Sequence, residues 1–462
     1  MLIDTATLET TLSRALARGG DFAEVFVEDR RNQSAMLDDG KVENLASSRS
    51  RGAGIRVVSG DTTGFAHTSD LSPEGLAAAA DTAAAAARSA RAGGTVRLGV
   101  SSVHDHSVAL LPEGVEKAAK VELLRRADGA ARAAGAAISQ VTAQYMEGRR
   151  RIQVATSDGI LTGDDQVKIL FAVTAVATGD TGLQTGRETV GRSVGFELFD
   201  TIDVDDLARR AAERALLKLR ARPAPSGTLP VVIARGGGGV LFHEACGHGL
   251  EADLVGKGAS VFAGRRGEMV ASPLVTLIDD GTMSGEWGQI AVDDEGLAAQ
   301  RNVLIQDGVL TDYMWDRLRA RDADRPSSGN GRRQSYRHLP MVRMTNTFVL
   351  NGDTAPADIV ADTPHGVYVA QLGGGQVNTA NGDFVFGMTE AYLIEDGRLT
   401  EPLRDGNLIG NGPDVLRNID VIGDDFEMGS PGTCGKDGQG VPVGDGQPTL
   451  RVTALTVGGT AA

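Results

Sequence analysis

Apolar and polar residues follow two different periods along the first half of the chain. Three stretches, 6–18, 113–134 and 204–221, have apolar residues at helical spacing. Two others, 22–30 and 166–178, alternate between apolar and polar residues, as strands with one buried face do. Helices interspersed with such strands predict an α+β fold for this half.

Turn and cap residues add two local predictions. The Asp39-Gly40 dipeptide separates two alternating runs and is typical of a β-hairpin turn. Ser72, which precedes a proline, has the chemistry of a helix N-cap. The alanine-rich helix that follows it is expected to stop at Gly93-Gly94.

The pattern changes after a short segment with the composition of a linker, RPAPSGT at 222–228. Beyond it, short apolar runs are separated by turns rich in Gly, Asp and Asn, which predicts a half rich in antiparallel strands. The sequence therefore predicts two domains, an α+β domain at 1–222 and a strand-rich domain at 228–462.

Acidic residues outnumber basic ones. The 46 Lys and Arg against 61 Asp and Glu give a formal net charge of −15. This balance repels phosphate backbones and anionic lipids, so nucleic-acid and membrane partners are not expected. The sequence contains neither a run of 18 apolar residues nor a start typical of a secretory signal. We therefore expect a cytoplasmic protein.

The richest chemistry lies in the segment HEACGH, which follows an apolar strand and four glycines. His243 and His248 offer imidazole nitrogens, and Glu244 offers a carboxylate that can take a proton from water. Neutral imidazoles beside a carboxylate are what a hydrolytic, zinc-type site needs. The segment predicts a short metal-binding helix at the start of the C-terminal domain.

The spacing of the two histidines requires a distorted helix. Residues five apart on a regular helix lie about 140° apart around its axis, against about 40° for residues four apart. His243 and His248 would therefore converge only if one turn were widened, as in a π-bulge. Gly247 and Gly249 are expected to make that distortion sterically easier.

A third ligand must come from elsewhere, and two cysteines compete for the role. The chain has only Cys246 and Cys434, so a disulfide framework is excluded. Cys434 lies in a loop flanked by glycines, whereas Cys246 follows His243 by three residues on a neighbouring helix face. Spacing alone leaves the choice between them open.

A polar cluster further along the chain has two interpretations. Its side chains could donate hydrogen bonds to a peptide carboxylate or a developing oxyanion, or could form ion pairs at an interface. The members of this cluster are Arg332, Arg333, Tyr336, Arg337 and His338.

Four long segments, in this order along the chain, resemble the signature segments of one known family. The segments are 243–253, 328–348, 372–396 and 431–452. They are similar to those of the TldD/PmbA (TldE) metalloproteases, and to the TldD subunit in particular. The resemblance covers the whole chain and is specific mainly after residue 228.

The resemblance implies a complete set of site residues. His243, His248 and Cys434 would ligate one divalent metal, and Glu244 would be the general base that activates water. Cys246 falls at a variable position of the motif and is interpreted as a packing residue. A thiolate beside two imidazoles suits zinc, although iron would also accept this set.

The resemblance also implies a partner and a substrate class. The related PmbA/TldE subunit lacks the histidine motif, so a heterodimer with such a subunit is expected, with a homodimer as the alternative. The two subunits would enclose a chamber in which unfolded or extended peptides are cut. Two other functions stay open, a peptide-maturation factor and a noncatalytic modulator protein that a metal stabilises.

Overall fold

Helices and long strands alternate in the N-terminal half. The computed structural model describes residues 1–87, 95–99, 102–106 and 108–460. The elements of this half are, in chain order, α1 (Thr5–Ala15), β1 (Phe22–Asp38), β2 (Lys41–Ser59), β3 (Thr62–Thr68), α2 (Pro73–Ala86), β4 (Ser102–Asp105), α3 (Lys117–Ala133), β5 (Ile138–Thr156), β6 (Leu161–Gly179), β7 (Gly182–Arg192), α4 (Leu198–Thr201) and α5 (Val204–Leu219).

The strands of this half form one seven-stranded sheet whose two faces are covered differently. Its order is β3-β2-β1-β5-β6-β4, and β7 pairs with β6. Side chains alternate between the faces of a strand. Odd-numbered residues such as Val25 and Val141 pack in the apolar clusters formed with the helices, and α1 contacts α2 while α3 contacts α5. Even-numbered residues such as Phe26 and Val154 instead pack against Val292 and Tyr336 of the C-terminal half.

Shorter strands dominate the C-terminal half. Its elements are, in chain order, β8 (Arg222–Pro223), β9 (Gly227–Ile233), α6 (Gly239–Phe242), α7 (Ala252–Gly256), β10 (Leu277–Asp280), β11 (Arg301–Gln306), β12 (Val309–Leu310), α8 (Arg317–Asp322), β13 (Gly331–Arg332), β14 (Met341–Val342), β15 (Asn346–Val349), α9 (Pro356–Ala361), β16 (His365–Asn378), β17 (Asp383–Glu395), β18 (Arg398–Arg404), β19 (Asn407–Asn411), α10 (Gly412–Arg417), β20 (Ile419–Ile422), β21 (Glu427–Met428), β22 (Gly432–Lys436), β23 (Gln439–Gln447) and β24 (Leu450–Gly458).

Two large sheets share one apolar core in this half. The first has the order β12-β11-β10-β15-β23-β21, with β22 paired to β23. The second has the order β16-β9-β24-β19-β17-β18-β8, and a further pairing between β16 and β17 closes five of its strands into a ring. Most pairs are antiparallel, but β15–β23, β16–β9 and β18–β8 are parallel. The α+β prediction with a strand-rich C-terminal half is confirmed.

Buried ion pairs join the two halves. Glu24, on the even-numbered face of β1, pairs with Arg333 of the C-terminal half and, at 2.8 Å, with Arg56 of β2. Arg56 in turn lies 2.7 Å from Glu295. All four side chains are almost completely buried. Charges removed from water in this way depend on one another, because each would be strongly destabilising without its partner.

The local predictions agree with the structure where it describes them. Asp39 and Gly40 have φ of 47° and 77° and connect β1 to β2, which confirms the hairpin turn. The Ser72 hydroxyl accepts a hydrogen bond of 3.1 Å from the Gly75 N–H and caps α2. The predicted end of that helix at 93–94 lies outside the described residues. The domain division at 222–228 stays a prediction.

Two predicted elements differ in extent from those found. The helix predicted over 6–18 ends at Ala15, whereas the strand predicted over 22–30 continues to Asp38. The continuation pairs with both β2 and β5 although its residues are mostly polar. In the described part of the chain, no helix has both the length and the apolar character needed to cross a membrane.

We expect Glu24→Gln to weaken folding strongly. The substitution keeps the size of the side chain but leaves the buried guanidinium groups of Arg56 and Arg333 without their shared carboxylate. Breaking such a pair costs roughly 3 kcal/mol or more of unfolding free energy, to be measured by urea denaturation. As a control, Asp81→Asn removes an exposed pair with Arg14 and should change stability little. Equal effects of the two substitutions would contradict the prediction.

Candidate metal centre

The HEACGH segment begins where the chain leaves a buried strand. After β9, the chain passes through the glycine stretch 236–239 into the single turn of α6. A π-helical turn then spans His243–Gly247, and a 3₁₀ turn spans His248–Leu250. The widened turn that the five-residue histidine spacing predicted is therefore present, and this prediction is confirmed.

Glycine at position 247 serves close packing. Its φ of −56° lies in the ordinary right-handed helical region, so the turn does not use the wider conformational freedom of glycine there. A Cβ atom at Gly247 would instead lie 2.1 Å from the sulfur of Met344. At Gly249, a Cβ atom would lie 2.8 Å from the ring of Phe262. Both glycines let the distorted turn sit directly against the core.

The turn brings His243 and His248 together, and Cys434 meets them from a distant strand. The two imidazole rings have centroids 5.1 Å apart and are nearly perpendicular, at 82°. The sulfur of Cys434, on β22, lies 3.3 Å from Nε2 of His248. One ligand atom of each residue lies within 4.8 Å of the other two. We call this cluster the His-His-Cys triad.

The triad has the chemistry of an incomplete coordination sphere. All three residues are buried, and both ring nitrogens of His243 lack a hydrogen-bond partner among the residues that the structure describes. Burial raises the pKa of Cys434, but contacts with His243 and His248 lower it to about 4, which favours the thiolate. An unsatisfied buried imidazole is costly. A divalent cation would satisfy it and would also balance the thiolate, so the residues present fit a metal.

Glu244 lies at the edge of the triad. Its Oε2 atom is 3.7 Å from Nε2 of His248, and its side chain keeps 30% of its surface exposed. The triad residues themselves are at most 6% exposed. Solvent can therefore reach the carboxylate while the triad stays shielded.

A second carboxylate orients the His248 ring through the nitrogen that does not face Cys434. Nδ1 of His248 lies 3.0 Å from Oε2 of the fully buried Glu251, and because a carboxylate only accepts, Nδ1 carries the proton. Nε2 is thereby left to face Cys434. The Lys436 ammonium lies 2.9 Å from Glu251 and 2.7 Å from Asp253. These two ion pairs hold the Glu251 carboxylate in place.

Sequence reasoning missed these supporting residues, although their spacing carried a signal. Glu251 follows His248 by three residues, a spacing at which helical side chains meet. Lys436 follows Cys434 by two residues, and such residues lie on one side of a strand.

Three family domains match this chain in order. The PmbA/TldA metallopeptidase domain 1 matches residues 23–87, the central domain matches 110–219, and the C-terminal domain matches 226–459. The chain belongs to the PmbA/TldD metallopeptidase family. The resemblance shown by the four signature segments is thereby confirmed.

Relatives of this PmbA/TldD chain extend over nearly its full length. The metalloprotease TldD homolog of Haemophilus influenzae is 37% identical over 468 residues, which cover 99% of this chain and 97% of the relative. A metalloprotease of Methanothermobacter thermautotrophicus is 37% identical over 442 residues, which cover 95% of this chain and 96% of the relative. The chain is accordingly a metallopeptidase.

A solved structure shares the PmbA/TldD fold at lower sequence identity. TldE from Thermococcus kodakarensis superposes with a TM-score of 0.76 at 19% identity, covering 98% of this chain and 99% of that one. At this identity the similarity concerns the fold alone.

The remaining predicted residues of this PmbA/TldD metallopeptidase are not members of the triad. Cys246 is 1% exposed within the apolar core, where burial raises its pKa, and it stays outside the triad. In the polar cluster, Arg333 makes the buried ion pair with Glu24, and the backbone N–H of Tyr336 donates to Glu28. Among the described residues, the Arg332 guanidinium donates hydrogen bonds only to backbone carbonyl oxygens, so ion pairing does not account for it.

We expect Glu251→Gln to weaken metal binding by about 10- to 100-fold, the range typical of lost outer-shell partners. The amide keeps the size of the side chain but no longer requires a proton on Nδ1 of His248. Zinc affinity can be measured by competition with a chromophoric chelator. The matched control is Glu268→Gln, at an exposed pair with Arg265. Unchanged zinc affinity in Glu251→Gln would refute the orienting role.

Proposed function

We propose that His243, His248 and Cys434 hold one divalent metal and that zinc is the native ion. The observation that supports this proposal is the convergence of three buried potential ligand atoms, one of them on an imidazole that has no hydrogen-bond partner among the described residues. Two nitrogens and a sulfur form a donor set that suits zinc, and iron is the alternative. A bound divalent metal supplies Lewis acidity, which polarises a scissile carbonyl and acidifies water.

Glu244 is the general base in this proposal. Its partly exposed carboxylate stands beside the triad, where Oε2 can take a proton from the attacking water. The same oxygen then returns the proton to the leaving amine. His243, His248 and Cys434 are too deeply buried to exchange protons with a substrate in this way. A noncatalytic protein that merely used a metal for stability would not need a carboxylate at this position.

We further propose that the substrates are unfolded or extended peptides, cut in a chamber that this chain forms with a PmbA/TldE-like subunit. The shared fold of TldE from Thermococcus kodakarensis supports a partner of matching architecture. A homodimer is the alternative assembly. The acidic chain, with a net charge of −15, suits a cytoplasmic enzyme without nucleic-acid or membrane partners.

The two cysteines should respond differently to substitution. We expect Cys434→Ser to lose most of the bound metal, because a neutral hydroxyl is a poor zinc ligand. Cys246→Ala should keep its metal, because that thiol packs in the apolar core. Metal content can be measured by mass spectrometry of the purified proteins. Equal metal content in wild type and Cys434→Ser would refute the ligand assignment.

Glu244→Gln should separate metal binding from catalysis. The variant should bind metal as the wild type does while peptide hydrolysis falls by about two to four decades, the usual contribution of a general base. Both quantities can be measured on one preparation, with a fluorogenic unstructured peptide for the hydrolysis. Cleavage at the wild-type rate would exclude Glu244 as the base.

The proposed assembly predicts activity that depends on a second subunit and on unfolded substrate. The chain alone should cut peptides poorly, and coexpression with its PmbA/TldE-like relative should restore cleavage. A destabilised, unfolded domain should be degraded while its stable version survives, because extended backbone must be free to pair. The molecular mass and the peptidase activity of the isolated chain and of the coexpressed chain test this prediction. Full activity of a monomer, or rapid cutting of the folded domain, would contradict it.

A further inference from the structure

A cavity of about 300 Å³ lies between the N-terminal sheet and the C-terminal half. Strands β1, β2, β5 and β6 form one side of it, and β23 forms part of the other. Its charged lining is strongly asymmetric, with six basic side chains against only Glu147 and Asp294. We call it the cationic cavity after its basic residues Arg30, Arg149, Arg150, Lys168, Arg332 and Arg333.

Most of these cations have acidic partners, but two do not. Arg30 and Arg150 both pair with Glu28, and Arg150 also pairs with Asp294. Arg149 pairs with Glu113 and Asp165, and Arg333 pairs with Glu24. Of the two acids in the lining, Glu147 is held by Lys120 at 2.6 Å. Within the described residues, Lys168 and Arg332 make no ion pair with a carboxylate.

Lys168 and Arg332 are buried against neutral acceptors only. The Lys168 ammonium donates to the Ser193 hydroxyl at 2.6 Å and to the carbonyls of Trp287 and Gln289 at 2.5 Å and 3.3 Å. The Arg332 guanidinium donates to the carbonyls of Met344 and Pro442. Burial lowers the pKa of Lys168 to about 7 and that of Arg332 to about 10. The nearby carboxylates of Asp164 and Asp294 oppose these shifts but do not outweigh burial, so positive charge at the two side chains is only partly compensated.

The lining of the cationic cavity also contains N–H donors that have no acceptor among the described residues. In the described part of the chain, Nε of Arg30 and Nε and Nη1 of the fully buried Arg333 have no hydrogen-bond partner. The Arg333 guanidinium lies over the Phe26 ring, 4.4 Å from its centroid, and this contact holds it against the wall. An anionic ligand in the cavity would supply the negative charge that this lining lacks.

The cationic cavity and the His-His-Cys triad adjoin the same two-stranded ribbon. Val441 and Pro442 of β23 line the cavity, and Val441 is the register partner of Cys434 on β22. Arg332 connects the two regions, because it lines the cavity and donates to Pro442. A ligand held in the cavity would therefore lie near the strand that carries the sulfur of the triad.

We propose that the cationic cavity binds a carboxylate of the peptide substrate. The proposal rests on the proposed peptidase function, since carboxylates are the anionic groups of an unmodified peptide. Planar guanidinium groups such as those of Arg30 and Arg332 match a carboxylate in shape and charge. The carboxylate is either the peptide C-terminus or an Asp or Glu side chain, and both sources share this chemistry.

Peptide binding to the full-length Glu244→Gln protein, loaded with zinc, tests the proposal. One fluorescent, otherwise neutral peptide is prepared with a free C-terminus, with a C-terminal amide, and with an amide plus one Gln→Glu replacement. We expect at least one carboxylate form to bind about tenfold more tightly than the neutral amide. The form that does so identifies the source of the carboxylate. Equal affinity of all three peptides would overturn the proposal.

Substitutions in the cationic cavity test whether the carboxylate preference arises there. Lys168→Met and Arg30→Gln should each reduce the carboxylate preference at least severalfold, and Arg187→Gln, at an exposed position outside the cavity, should retain it. Thermal unfolding and zinc content identify a variant that fails to fold. Because the Arg30 side chain is 29% exposed, its variant provides a test if Lys168→Met is unstable. An undiminished preference in folded Arg30→Gln and Lys168→Met would overturn the assignment.

A failure of the cavity proposal can be distinguished from a failure of the proposed peptidase function. Cleavage by the wild type without any carboxylate preference would overturn the cavity proposal and leave the peptidase mechanism standing. A carboxylate preference in binding, lost in the cavity variants but without cleavage by the wild type under any subunit composition, would support the cavity and refute the mechanism.

Discussion

The structure of the site depends on one requirement, that three buried side chains, the proposed metal ligands, meet although they are poorly placed for it along the chain. Two of them are five residues apart, so the helix must widen into a π turn over His243–Gly247. The third comes from β22, which is fixed by its pairing with β23. The glycines around the turn, the contact with Met344 and the Glu251–Lys436 pair all follow from holding this geometry in a packed interior.

The two faces of the N-terminal sheet pack against different parts of the protein, and this difference explains how the two halves are joined. One face packs on helices and is apolar, whereas the other meets the C-terminal half through Glu24, Phe26 and Glu28. Burying charge there is tolerated because each carboxylate has arginine partners. In the described part of this interface Lys168 and Arg332 form no ion pair, and six basic side chains line the cavity between the halves against two acidic ones.

Much of this was predictable from residue periods and spacing, and the exceptions have physical reasons. The π turn followed from helix geometry, and the choice of Cys434 over Cys246 required the family resemblance, because spacing carries no information on contacts 186 residues apart. The extension of β1 to Asp38 was missed because polar residues fill its far end. Glu251 was missed because a buried acid in an acidic sequence looks like any surface carboxylate until its partners are known.

The proposed metal ligands lie far apart along the chain, and this separation affects when metal-dependent activity can begin during synthesis. On the ribosome, His248 is synthesised 186 residues before Cys434, a delay of roughly ten to forty seconds at ordinary elongation rates. With the proposed ligand set, the nascent protein has only two of its three metal ligands until β22 has been synthesised, so metal-dependent activity can begin only when the C-terminal ribbon is complete.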